Sequence, residues 1–143
     1  MNPAVYSDFW AGGFLFDRPR TSVLLHHRDG NTSANPHKWA FFGGQGEQDE
    51  SYVDCFVREM AEEIGLRLQP EQAVHLREYM NTLVNQYRVV FYVETYVPTE
   101  RLVLGEGAGF GWFTLDAALR LDLAQRTRDD LDYFIAQGLA AQR

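Results

Sequence analysis

The sequence predicts an α/β fold, a mixed β-sheet with helices on both sides, and three observations carry that prediction. Runs rich in β-branched and aromatic residues fall at residues 9–16, 22–28 and 87–97. The last run is nearly continuous, as expected for a strand buried on both faces. Residues 51–65 switch to apolar spacing of helical period, with a start and a stop signal. At 143 residues the chain suits one domain, residues 1–143, large enough to bury a core without staples.

Taken in order, Phe9 to Phe16 and Ser22 to Arg28 read as strands separated by the turn Asp17-Arg18-Pro19-Arg20. Asp29 to Lys38, with Gly30, Pro36 and few apolar residues, reads as a flexible loop. Trp39 to Phe42 is a short aromatic strand, which runs into a loop at Gly43-Gly44. Ser51-x-x-Asp54 is a capping-box pattern, so a helix starts just after Ser51. Gly65 followed by Leu66 fits a left-handed C-terminal cap, which stops the helix at about Ile64. Val53, Phe56, Val57, Met60 and Ile64 form its core-facing stripe, and Glu59, Glu62 and Glu63 gather on the other side. Val74 to Tyr79, Tyr87 to Val97 and Gly109 to Phe113 are further strands, and Leu115 to Leu121 and Thr127 to Ala141 close the chain as helices.

Composition bounds the function. The chain is 45% apolar and 14% aromatic, hence globular, and its net charge of −7 argues against a general nucleic-acid or membrane surface. Of 13 basic residues only Lys38 is lysine; arginine suits bidentate phosphate contacts, though genome composition explains the bias equally well. Cys55 is alone, which excludes an internal disulfide, fits a reducing cytoplasm and points to a structural thiol. The N-terminus MNPAVYSDFW carries no leader pattern, and no apolar run reaches membrane-spanning length, so a cytoplasmic location is expected. His26, His27, His37 and His75 lack soft-metal spacing; His27 and Arg28 end a strand near the expected mouth of a site.

Function concentrates in GQGEQDESYVDCFVREMAEEIGL, residues 44–66. Its fixed points are Gly44, Glu50, Arg58, Glu59, Glu62, Glu63 and Gly65, with apolar Met60 and Leu66. So many carboxylates on one helix call for a cation, and hard divalent ions take oxygen ligands. At roughly 7% usage per residue type, seven fixed positions coincide by chance on the order of 10⁻⁸ per start point. The spacing Gly-x5-Glu-x7-Arg-Glu-apolar-x-Glu-Glu-x-Gly-apolar resembles the signature box of the Nudix hydrolase superfamily at every fixed position.

That resemblance implies an α/β/α sandwich with the box helix on one face of a mixed sheet. It implies that Glu59, Glu62 and Glu63 hold Mg²⁺ or Mn²⁺, with the Gly43 carbonyl as an extra ligand. It implies an Arg58–Glu50 ion pair that orients the carboxylates, with Glu50 sharing in base chemistry in some relatives. The reaction implied is attack of water on a diphosphate linkage of a nucleoside diphosphate-X compound. Glu106, in the glycine-dense stretch Gly105 to Gly111 before Trp112, resembles a glutamate of the MutT-like branch that approaches the metals from outside the helix. In the family the residue before the two glycines is usually proline; here it is Phe42. The marks of ADP-ribose, dinucleoside polyphosphate and coenzyme A hydrolases do not appear, which leaves a MutT-like nucleoside triphosphate pyrophosphohydrolase. The alternatives are a hydrolase of nucleotide sugars or ADP-ribose, and a non-catalytic nucleotide-sensing module. Trp10, Trp39, Phe41, Tyr87 and Trp112 are the aromatic candidates for stacking a base, each with a core role as the competing reading. The implied partner is a small nucleotide substrate, with no nucleic-acid polymer or membrane, and homodimerisation is left open.

Overall fold

The first apolar run becomes the centre of the molecule. The computed structural model describes residues 6–31 and 35–141. Its elements run β1 (Phe9–Asp17), β2 (Ser22–His27), β3 (Trp39–Ala40), β4 (Phe42–Gln45), α1 (Tyr52–Ile64), β5 (Val74–Asn81), β6 (Gln86–Glu94), β7 (Gly109–Thr114), α2 (Leu115–Ala118) and α3 (Gln125–Ala136). The strands form one mixed sheet with the path β3-β2-β1-β6-β5, with β4 added beside β1 and β7 beside β2. β1 and β6 are parallel, with Phe9 opposite Tyr87 and Phe16 opposite Glu94. The other pairings between these strands are antiparallel. The other edge of β1 is shared: residues 10–13 pair with β4, and residues 15–17 pair with β2.

Strand alternation divides the core in two. Phe9, Ala11 and Leu15 of β1, with Val89, Phe91 and Val93 of β6, meet Phe56, Met60 and Ile64 of α1 on one face. Phe14, Phe16, Val90 and Tyr92 point the other way, against Leu131 and Phe134 of α3. Helices therefore cover both faces, which is why these strands carry apolar residues at successive positions. Among the described residues no helix is long and apolar enough to cross a membrane.

Several boundaries differ from the sequence reading. Gly43 and Gly44 belong to a strand, not a loop: they pair with Gly12 and Ala11 in the ladder. The strand expected to reach Val97 stops at Glu94. The helix expected at Leu115 to Leu121 is a single turn. The last helix starts earlier, at Gln125, and ends at Ala136, shortly before Gly138 takes a left-handed φ of 73°. The loop expected at Asp29 to Lys38 includes residues 32–34, and the leader reading rests partly on residues 1–5; both sets lie outside the described residues.

Candidate active site

The site is built on α1, and both helix ends are fastened. Ser51 is the N-cap, with extended backbone and its hydroxyl accepting the Asp54 N–H at 3.2 Å. Gly65 is the C-cap at φ 69°, and its N–H returns to the Ala61 carbonyl at 3.0 Å. Two more terminal carbonyls are taken by a distant segment: Val103 N–H donates to Ile64 O at 3.0 Å, and Gly105 N–H donates to Glu63 O at 2.8 Å. This docking brings the glycine-dense segment, and Glu106 with it, against the end of the helix. Sequence spacing carried no sign of it.

The three helix carboxylates do not share one environment. Glu62 is exposed, its side chain retaining 57% of its accessibility. Glu59 is half-buried and rests against Gly44, where a Cβ would meet the end of its side chain and displace the carboxylate. Glu63 is buried at 3% exposure, and its Oε2 accepts the Gly43 N–H at 2.8 Å. The expectation that all three gather on the face opposite the core is corrected: Glu63 turns inward onto β4. Burial first, then the charge of Glu59, pushes the Glu63 carboxyl up to about 9. Burial also raises Glu59.

Arg58 and Glu50 form the expected ion pair. Arg58 Nε donates to Glu50 Oε2 at 2.8 Å, and Nη2 donates to Glu50 Oε1 at 3.0 Å. The bond from Arg58 holds Glu50 below the usual carboxylate range. Nη2 also reaches the Gln45 carbonyl at 3.0 Å, while Nη1 contacts Glu59 at 3.0 Å and Glu62 at 3.2 Å. Among the described residues no group of three His, Cys, Asp or Glu is arranged to hold a metal ion; Arg58 Nη1 makes contacts with Glu59 and Glu62 that a cation would otherwise make. The donor chemistry nonetheless fits a hard divalent cation. The charges of Glu59 and Glu106 both push the Glu63 carboxyl up, the effect of a cluster of oxygen donors that a positive ion would relieve.

His26 is the site residue that sequence reading missed. It is buried on β2 and stacks on Phe42 at 5.0 Å. Its Nε2 donates to the Glu106 carbonyl at 2.8 Å, because a carbonyl can only accept. Its Nδ1 is buried without a hydrogen-bond partner, 3.9 Å from Glu63 Oε1. Burial lowers the His26 pKa, which favours the neutral ring. The imidazole thus ties β2 to the Glu106 segment directly beside Glu63. Strand alternation was the available signal, since it turns His26 inward and His27 outward. Cys55 is buried in the core under α1, and burial pushes its thiol up to about 12, a structural thiol with little thiolate.

A cavity of about 490 Å³ opens beside these groups, with Trp10, Arg28, Phe41, Arg88, Glu106 and Gln125 in its walls. Of the five aromatic candidates, Trp10 and Phe41 line it. Trp39 stacks on His27 at 4.5 Å, Tyr87 stacks on Tyr6 at 4.1 Å, and Trp112 donates to the Val97 carbonyl at 2.9 Å. Those three serve the scaffold. Phe42, in place of the family's proline, is buried beneath His26 and pairs with Gly13 in the ladder.

A family model described as NUDIX domain matches residues 10–134. Similar solved structures include a MutT described for Aliivibrio salmonicida and Vibrio cholerae, 19% identical, with a TM-score of 0.75 over 91% of this chain and 98% of that one. A MutT protein from Methanosarcina mazei Go1 is 20% identical, with a TM-score of 0.74 over 92% of this chain and 94% of its own. A bifunctional NMN adenylyltransferase/ADP ribose pyrophosphatase from Francisella tularensis, complexed with AMP and Mn ion, is 16% identical. It has a TM-score of 0.71 over 92% of this chain and 42% of its own. At these identities the structural likeness speaks for the fold.

Proposed function

The chain belongs to the NUDIX domain family, and we propose that it is a metal-dependent hydrolase of diphosphate linkages in nucleotide substrates. The observation that carries this reading is the buried Glu63 carboxyl, pushed up to about 9 beside Glu59 and Glu106, at the cavity that Glu106 lines. Glu59, Glu62 and Glu63 are the proposed ligands of Mg²⁺ or Mn²⁺, with the Gly43 carbonyl beside them. When bound, the ion polarises a phosphate and lowers the pKa of water. Glu50 holds Arg58 from two nitrogens, and Arg58 in turn fixes Glu59. Arg58 is therefore a positioning residue whose charge also screens the helix. Glu106 approaches from outside the helix, held through its main chain by His26, and we assign it as a base that receives a proton from water.

Within that class we propose nucleoside triphosphates, split into a monophosphate and pyrophosphate, as the MutT-like box and the similar MutT structures suggest. ADP-ribose and nucleotide sugars are the alternatives, the first supported by the Francisella tularensis neighbour's described activity. The test is product release with and without Mg²⁺ or Mn²⁺, read as pyrophosphate from nucleoside triphosphates and as the nucleotide product from nucleotide sugars, ADP-ribose and dinucleoside polyphosphates. Triphosphate turnover that vanishes in EDTA is expected. A panel with no turnover, in which a nucleotide still raises the melting temperature, would replace the enzyme with a sensing module.

A further inference from the structure

Among the described residues, His26 Nδ1 is the one buried side-chain nitrogen or oxygen without a hydrogen-bond partner. The residue is 2% exposed and is held from several sides. Its backbone lies opposite Ala40 of β3 and Phe110 of β7, and its ring stacks on Phe42 at 5.0 Å. Nε2 donates to the Glu106 carbonyl at 2.8 Å, and a Cβ at Gly107 would strike that same nitrogen. A neutral imidazole with one nitrogen committed as donor presents the other as a bare lone pair. The Glu106 segment therefore sets the tautomer, and Nδ1 is left as an acceptor.

That lone pair stands beside an acid. Nδ1 is 3.9 Å from Glu63 Oε1, while Glu63 Oε2 is occupied by the Gly43 N–H. Two unpaired acceptors buried side by side are costly. At 3.9 Å they are too far apart for a proton on either atom to join them. They are close enough to hold one cation, whose bonds to nitrogen and carboxylate oxygen run about 2.0–2.2 Å each. A bridging water would satisfy both atoms but would leave the charge of the surrounding carboxylates unmatched.

We propose that His26 is a nitrogen donor of the divalent-cation site and, with Glu63, tilts that site from Mg²⁺ toward transition ions such as Fe²⁺ and Co²⁺. Mg²⁺ takes oxygen donors, whereas imidazole suits the later first-row ions. Among the described residues no three His, Cys, Asp or Glu side chains are arranged for an ion. The pair is therefore completed by the Gly43 carbonyl and by oxygens of water or substrate phosphate. This deepens the hydrolase reading and rests on it only for the presence of a cation beside Glu63. The strand that carries His26 thus adds a ligand type that the box helix, with carboxylates alone, does not supply.

The test uses the metals alone, with no substrate present. Pulsed EPR of bound Mn²⁺, taken as a paramagnetic probe, should show coupling to a directly bonded nitrogen in the wild type and none in His26→Phe. Calorimetry of Co²⁺ and Mg²⁺ supplies the second readout. His26→Phe keeps a ring over Phe42 but removes the donor, and it should weaken Co²⁺ roughly tenfold more than Mg²⁺. A purely structural role for the ring would weaken both ions alike, and that result overturns the proposal. Absence of nitrogen coupling in the wild type, coupling that survives His26→Phe, or no binding of Mn²⁺ at millimolar concentration would each overturn it as well. If His26→Phe does not fold, His26→Gln offers an amide in place of the imidazole lone pair, and undiminished nitrogen coupling there overturns it equally. Nitrogen coupling in a protein that hydrolyses nothing keeps the donor and removes the hydrolase; metal-dependent turnover without coupling does the reverse.

Discussion

Glu63 shows how much one side chain's surroundings add to its identity. As a letter in the box it equals Glu59 and Glu62, and spacing predicts a shared face. Yet its carboxylate is turned onto β4 and holds the Gly43 N–H at 2.8 Å. Glu63→Gln retains an oxygen for that bond, so the fold should persist while turnover falls by about two orders of magnitude or more. Near-normal turnover would remove Glu63 from the proposed machinery. The same burial couples stability to pH. With its folded value raised from 4.5 to about 9, Glu63 keeps a proton that the unfolded chain releases. Its favourable contribution is complete below the unfolded value and is lost as pH climbs toward the folded one. In EDTA, the melting temperature should therefore decline from about pH 5 to about pH 9. Glu63→Gln should decline less steeply, the remaining slope coming from Glu59, which is raised in the same direction. Identical slopes for the two proteins would contradict the burial assigned to this carboxyl.

The box helix was legible because its punctuation is local. Ser51, Asp54 and Gly65 act within a few residues of themselves, so their residue types alone locate both ends. The strand just before it was not legible, because glycine pairs usually mark turns. Gly44 sits in β4 by pairing with Ala11 of β1, and its missing Cβ leaves room for the Glu59 carboxylate, contacts that sequence order does not reveal. The capping account makes its own prediction. Ser51→Ala removes the bond to Asp54 N–H and should cost about 1 kcal/mol. A Cβ at Gly65 would meet Val103 Cβ at 3.5 Å, an ordinary contact, so Gly65→Ala should cost about 1 kcal/mol through backbone strain at φ 69° rather than through a clash. The two sites lie at opposite ends of a 13-residue helix, so urea denaturation of the double variant should return the sum of the single costs. A Gly65→Ala cost far above that, with displaced Val103, would point instead to crowding.

At the scale of the molecule, the fold class was readable because a sheet covered on both faces writes apolar residues at successive strand positions, as β1 does up to Phe16 and β6 does from Val89 to Val93. What joins the layers was not readable. Asp130 is separated from Arg88 by 42 positions and from Arg77 by 53, and each looks in sequence like an ordinary surface charge. In space they clamp α3 to the β5–β6 side of the sheet, opposite the face that α1 covers. Two neighbouring aspartates of α3 therefore have different weights. Asp129 is half-exposed and pairs with Arg126 at 3.0 Å, so Asp129→Ala should cost less than about 1 kcal/mol. Asp130→Ala strips the counter-charge from two partly or largely buried guanidiniums and should cost about 3–5 kcal/mol, a large share of a typical domain's stability. Urea denaturation of the two variants under identical conditions decides the matter. Equal costs would mean that α3 is held by Leu131 and Phe134 alone and that Asp130 is a passenger. A large gap would identify Asp130 as the anchor from which Arg88 reaches the cavity, so the same residue would set both the docking of α3 and the geometry of the binding wall.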